Sequence, residues 1–345
     1  MLSSRRRCLS LAVGASLGIA GWQRLRPMAA AAGSVGPSRG SWRLGLISDL
    51  NASYGSTTYV GEVARGVTLL QRLRPDLVIC AGDMVAGQKL SLGDGQLDAM
   101  WAAFARKVLE PLRQQGVPFA PVIGNHDGSA SRSGGRTVFE RERQRARRFW
   151  QARRSALGLT LLEGSDFPFH YSFRQGEAVV VVIDASAAQL QPSTLPWLER
   201  ELRRPEARAA RLRLVVGHLP LQGVALGRDR PGEVLHDAAG LRRLLERQRV
   251  HLYISGHHHA YFPGRSGSLD LLSLGAMGSG PRRLLIDSRP PHQTLTLLDR
   301  FGDELVDSTI DLTTGRPIDR NLLPVRLQPS QGEPMTRRPA RWRLN

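Results

Sequence analysis

Five short apolar runs in this sequence are each followed at once by residues that bind metals or move protons. LGLIS (44–48) leads to Asp49 and Asn51, and DLVICA (76–81) to Gly82-Asp83. PFAPVI (118–123) leads to Gly124-Asn125-His126-Asp127, LRLVV (212–216) to Gly217-His218, and HLYIS (251–255) to Gly256-His257-His258-His259. Of nine histidines in the chain, five stand at these run ends. One histidine in such a place is ordinarily a satisfied structural residue; five in this order, with two Asp and an Asn, read as a site. Carboxylate, amide and neutral imidazole together suit borderline-hard divalent ions such as Mn, Fe or Zn. There are too many of them for one ion. Two ions sharing a bridging carboxylate would use the set and generate a bound hydroxide at neutral pH, with one histidine left off the metals as a proton donor.

The elements that must position these residues follow from the same runs. Short apolar stretches bounded by Gly and polar residues fit strands buried on both faces. Helix-like patterns lie between them, in YVGEVARGVTLLQRLRP (59–75), LDAMWAAFARKVLEPLRQQG (97–116) and LPWLERELRR (195–204). AVVVVIDAS (178–186) adds a strand, and QTLTLLDR and ELVDSTIDL flank Phe301-Gly302-Asp303 as a hairpin. Alternating strands and helices point to an α/β architecture, in which ligand crevices form at the carboxyl ends of strands. The glycines beside the site residues let backbone approach a ligand closely.

The ordered series D-x-N, GD, GNHD, GH and GHHH, across roughly residues 44–282, resembles the calcineurin-like metallophosphoesterases. The resemblance implies a four-layer α/β/β/α sandwich of two mixed sheets flanked by helices. It implies hydrolysis of a phosphomonoester or phosphodiester by attack of a metal-bound hydroxide. Carried over position by position, Asp49, Asn51, Asp83 and His259 would hold a first ion. Asp83 would bridge to a second, completed by Asn125, His218 and His257. His126 would stand at the leaving-group oxygen, with Asp127 orienting it. The ions expected are two divalent metals drawn from Mn, Fe, Zn, Mg or Ca, and the substrate is a phosphate ester. His258 receives no role and is expected to face solvent or substrate.

Asn51 departs from the family, which usually has His there. A neutral amide should weaken the first site and tilt it toward Mn, Mg or Ca. Two alternatives stay open: an impaired metal-binding or interaction protein on the same fold, and a nuclease. The latter would rest on RTVFERERQRARRFWQARR (136–154), a helix with eight arginines and an apolar face of Val138, Phe139, Ala146, Phe149 and Trp150. An ordinary solvated basic face is the plainer account of that segment.

The 345 residues carry a formal charge of +18, and all but two of the basic side chains, Lys89 and Lys107, are arginines. Residues 1–32 read as an export signal resembling a twin-arginine leader, with Ser4-Arg5-Arg6-Arg7-Cys8-Leu9, a weakly apolar middle and an Ala-rich end. The expectation is an exported, periplasmic or extracytoplasmic protein handled by the twin-arginine machinery, or a tethered one if the signal stays uncut. Without those residues Cys80 is the sole cysteine, so no internal disulfide forms, and its apolar run makes it core. Residues 33–41 read as a linker, 42–315 as the metallophosphoesterase domain, and 316–345 as an Arg- and Pro-rich tail ordered only where Leu322, Leu323 and Val325 dock.

Overall fold

The computed structural model describes residues 36–278 and 280–344. The export signal expected in residues 1–32 and the start of the expected linker lie outside the described residues. Among the described residues no helix is long and apolar enough to cross a membrane.

Strand β1 (Trp42–Ile47) is buried along nearly its whole length, as are β2 (Leu77–Cys80) and β3 (Phe119–Pro121). That explains their unbroken apolar runs, since a strand covered on both faces has no polar side to show. Between them lie α1 (Gly61–Leu73) and α2 (Asp94–Phe104), the latter running on through a π-turn, Ala105–Leu109, to Arg113. In α1, Val63, Gly66, Val67, Leu70 and Leu73 form the buried stripe, the helical spacing read in the sequence. Gly45 in β1 has no side chain to obstruct Leu70, so α1 seats directly on the strand.

Helix α3 (Glu140–Gln151) leads to antiparallel β4 (Thr160–Asp166), β5 (His170–Gln175) and β6 (Ala178–Val182). Then follow α4 (Thr194–Arg203), β7 (Leu212–Val216), α5 (Ala238–Arg247) and β8 (Leu252–Ser255). The hairpins β9 (Phe262–Ser266) with β10 (Leu269–Ser273), and β11 (Thr294–Phe301) with β12 (Glu304–Asp311), come next. Three short strands end the series: β13 (Arg326–Leu327), β14 (Met335–Arg337) and β15 (Arg341–Arg343).

These strands make two large mixed sheets. One has the order β15-β12-β11-β1-β2-β3 and the other β13-β14-β9-β10-β8-β7-β6-β5-β4. β1, β2 and β3 are parallel in the first, and β6, β7, β8 and β10 in the second. With the helices, this is the sandwich of two mixed sheets that the resemblance implied.

The last thirty residues differ from the expectation of a tail. β13 and β14 extend the second sheet through β9, and β15 extends the first through β12. Leu323 is buried as expected, but Leu322 and Val325 are exposed; Leu327, Met335, Arg338 and Trp342 supply the buried contacts. The physical reason is edge pairing: short strands satisfy backbone groups without any sustained apolar period. Residues at the expected linker are also fastened, because Arg39 donates to the Arg74 carbonyl and pairs with Asp76 at 2.8 Å.

Candidate functional site

Asp49 and Asn51 follow β1, Asp83 follows β2, and a single helical turn, Asn125–Gly128, follows β3. These come from the first sheet. His218 follows β7, and His257 to His259 follow β8, from the second. The structure therefore gathers the expected residues at the carboxyl ends of parallel strands in both sheets. Asp49, Asp83, His257 and His259 all have positive φ, between 54° and 64°. For non-Gly residues that conformation is strained, and such strain concentrates at functional sites.

Close approach across the seam depends on glycine. A Cβ on Gly124 would overlap the Asp83 carboxylate, and one on Gly256 would overlap Ser48 and Asp49. The His257 N–H instead donates to Asp49 at 3.1 Å, and the His126 N–H donates to Asp83 Oδ1 at 2.8 Å. Asn51 is buried beside them, its N–H donating to the Asp83 carbonyl at 3.2 Å.

Two groups of potential ligand atoms result, each within 4.8 Å of one another: Asp83 with His218 and His257, and Asp49 with Asp83 and His259. Asp83 belongs to both. Hydrogen bonds on the outer side of each imidazole settle which nitrogen faces inward. His218 Nδ1 donates to the Ala81 carbonyl at 2.7 Å and His259 Nδ1 to Gly280 at 2.8 Å, so each turns Nε2 inward. His257 donates from Nε2 to Glu233 at 2.9 Å, leaving Nδ1 for the site. The Asn125 amide donates from Nδ2 to Gln88 at 2.7 Å, which aims Oδ1 at His218 Nε2 and His257 Nδ1, both 2.9 Å away. Asp83 Oδ2 lies 3.3 Å from the same His218 nitrogen.

Four electron-pair donors thus converge, and the outward N–H groups of His218, His257 and Asn125 are already engaged. That arrangement fits a cation. Burial opposes charge on His218, yet Asp83 holds its pKa up at about 9. Burial alone would raise Asp83, but the facing His218 and His126 keep it well below the usual carboxylate range. Burial lowers His257 to about 4 despite Glu233, so its imidazole is neutral.

His126 turns its Nδ1 to the Gly87 carbonyl at 3.0 Å, with Nε2 3.9 Å from Asp83 Oδ2. The Tyr54 ring stands 5.2 Å from it at the mouth of a cleft of about 630 Å³. Here the expectation for Asp127 is corrected. Its buried carboxylate accepts N–H bonds from Asp83, Met84, Val85 and Gly124 at 2.8–3.0 Å, while Gly87 orients His126. A carboxylate next to His126 in sequence points the other way on a helical turn, into backbone. Burial and then Asp83 push its pKa up to about 7.

His258 is corrected as well. It is fully buried, accepting from the Val224 N–H at 3.2 Å and donating to the Glu233 carbonyl at 2.9 Å. Successive residues at a strand end point to opposite sides, so it reaches under the loop that carries Glu233. Sequence reasoning missed Gln88 and Glu233, which belong to no motif.

The arginine-rich segment is the helix α3, with Glu142, Ala146, Phe149 and Trp150 buried. Its arginines are largely engaged: Arg143 with Asp184 at 2.7 Å, Arg145 with Asp98 at 2.9 Å, Arg147 with Asp166 at 2.9 Å. Nothing in that pairing favours nucleic acid. Glu142 accepts from the N–H groups of Gln88 and Lys89, at 2.9 and 3.2 Å, fixing the loop that holds Asn125 and His126. Cys80 is buried, as expected of a core residue.

Residues 43–261 match the family model for calcineurin-like phosphoesterase. A purple acid phosphatase from yellow lupin (Lupinus luteus) seeds shares the fold with a TM-score of 0.60 at 16% identity, over 81% of this chain and 52% of that one. The chain thus spans about half the length of the lupin protein. A dimetal phosphatase from Danio rerio gives a TM-score of 0.54 at 15% identity, over 78% of this chain and 96% of that one. No curated protein matches the chain in sequence.

Proposed function

Because the chain belongs to the calcineurin-like phosphoesterase family, we propose that it is a metal-dependent phosphoric ester hydrolase that splits a phosphomonoester or phosphodiester with two divalent ions outside the cytoplasm. The observation that carries this reading is Asp83, shared between two ligand groups. Asp49, Asn51, Asp83 and His259 would hold one ion; Asp83, Asn125, His218 and His257 would hold the other. Bound there, the ions would supply Lewis acidity and activate water at neutral pH.

The chain's own residues do the rest. Gln88 and Glu233 keep the Asn125 and His257 donor atoms facing inward. His126 presents Nε2 to the cleft, where it donates a proton or a hydrogen bond to the departing oxygen. Asp127 holds the loops of Asp83 and Asn125 in register. Asn51, a neutral oxygen donor, leaves the first site weaker and biased toward Mn, Mg or Ca rather than dead. The paired arginines Arg5 and Arg6 support export of the chain through twin-arginine machinery.

The test is hydrolysis of an aryl phosphomonoester and an aryl phosphodiester with Mn, Mg, Ca, Zn and Fe in turn, beside metal analysis. Two ions per chain, with turnover falling about 10²- to 10⁴-fold in His126→Ala, is the expected result. One tight ion and no turnover until Asn51→His is introduced would replace this reading with that of a metal-binding protein. Replacing Arg5 and Arg6 by Lys should strand the protein in the cytoplasm on fractionation.

A further inference from the structure

The cleft that opens from the ligands is about 630 Å³, roomier than one phosphoryl group requires. Apart from its histidines, its ionisable lining is Arg132, Arg228, Arg230, Arg282, Glu233 and Tyr54. Four guanidiniums face one carboxylate. Glu233 answers two of them, Arg228 at 2.6 Å and Arg230 at 3.0 Å, besides accepting from His257. Arg132 donates to the Gly135 carbonyl.

Arg282 is placed differently. Its N–H donates to the carbonyl of His259 at 3.0 Å, which fixes it one peptide contact from a metal ligand. The side chain is half-buried and makes no ion pair among the described residues, and its Nε is buried without a hydrogen-bond partner. Its charged company is Arg228 and Arg230, like charges, and Glu233, which is already engaged by both of those arginines and by His257. An unsatisfied buried donor is destabilising, and the like charges add to that. A guanidinium fork kept in such a position matches an oxyanion bidentately. The uncompensated positive charge in a concave wall also concentrates polyanions there.

Resting on the hydrolase reading above, we propose that Arg282, with Arg228 beside it, binds a second phosphate of the substrate, joined through oxygen to the one under attack. The preferred substrates are then molecules with two phosphates in series. In the reaction a water oxygen bonds to the terminal phosphorus and the bridging P–O bond breaks. Its electron pair stays with the leaving phosphate, which takes up the proton. Arg282 neutralises charge on that leaving group.

Adenosine 5′-diphosphate and adenosine 5′-monophosphate differ by this one phosphate and are the matched probes. With the Mn-loaded full chain, kcat/KM should favour the diphosphate. Arg282→Ala should lower the diphosphate-to-monophosphate ratio about 10- to 100-fold, the worth of a charged hydrogen bond. Arg282→Lys should recover part of it, and Arg283→Ala, on the exposed neighbour, should leave the ratio unchanged. Calorimetry with methylenediphosphonate, whose P–C–P bridge is not hydrolysed, and with orthophosphate reads the same preference without turnover, and thermal melts show whether each variant is folded. A ratio unmoved by Arg282→Ala, or equal binding of methylenediphosphonate and orthophosphate, overturns the proposal. Absence of metal-dependent turnover on every ester would instead overturn the hydrolase reading, while calorimetry would still decide the role of Arg282.

Discussion

Asn125 is held from both ends of its amide: Gln88 accepts from Nδ2, and Oδ1 is thereby turned to His218 and His257. Glu233 does the same for His257 through Nε2. Such outer partners set ligand orientation and basicity, so Glu233→Gln should weaken metal binding about 10- to 100-fold, read by competition with a chelating dye. Asp127 makes a different demand. Four backbone N–H groups converge on its two oxygens, and an amide offers only one acceptor oxygen. Asp127→Asn should lower stability by about 1–3 kcal/mol, measured by urea denaturation, even with no metal present. A residue that merely oriented His126 would cost turnover and leave the denaturation midpoint where it was.

Helix α3 joins two parts of the molecule through ion pairs at its polar face and aromatic packing at the other. Phe149 stacks on Trp101 with centroids 4.7 Å apart, and Trp150 on Phe119 at 5.8 Å. Arg147 pairs with Asp166 at the end of β4, where His170 Nδ1 also lies 3.1 Å away. Burial would raise the Asp166 pKa, but His170 and Arg147 bring it below its ordinary value of 3.8. A carboxyl with a depressed folded-state pKa adds stability above its unfolded pKa and loses it as pH falls through the folded one. Asp166→Asn should therefore cost under about 1 kcal/mol at pH 7, since the pair is partly exposed. The gap from the parent protein should narrow as pH falls below about 4, as followed by urea melts at pH 7 and pH 3.

At the scale of the molecule, both sheets contribute to one site and both receive edge strands from the last thirty residues. Arg338 is buried, donates to Asp307 at 3.1 Å and lies 3.6 Å over the Trp342 ring. Ending the chain at Pro324 would remove β13, β14 and β15, expose the edges of β9 and β12, and leave Asp307 with one guanidinium fewer. Arg320 still pairs with Asp307, so the loss is one of two buried charge contacts together with the edge pairing. The shortened chain should melt at a clearly lower temperature and aggregate more readily than the full one.

The sequence by itself determined the chemistry of the site and the strands that carry it. Each ligand follows an apolar run whose buried strand is legible from composition alone, and glycine at the turn marks where backbones meet. The parallel strands β1, β2, β3, β7 and β8, the helices α1 to α4, and the β11–β12 hairpin were all readable in this way. What only the tertiary structure decided is where groups without a periodic signal point. Asp127 turned to backbone rather than to His126, His258 went under a loop, and Gln88, Glu233 and Arg282 came to the cleft from loops distant in sequence. β9, β10, β13, β14 and β15 escaped notice for a related reason. Their residues are stabilised by neighbours far along the chain, and a pairing between distant segments leaves no pattern within either one.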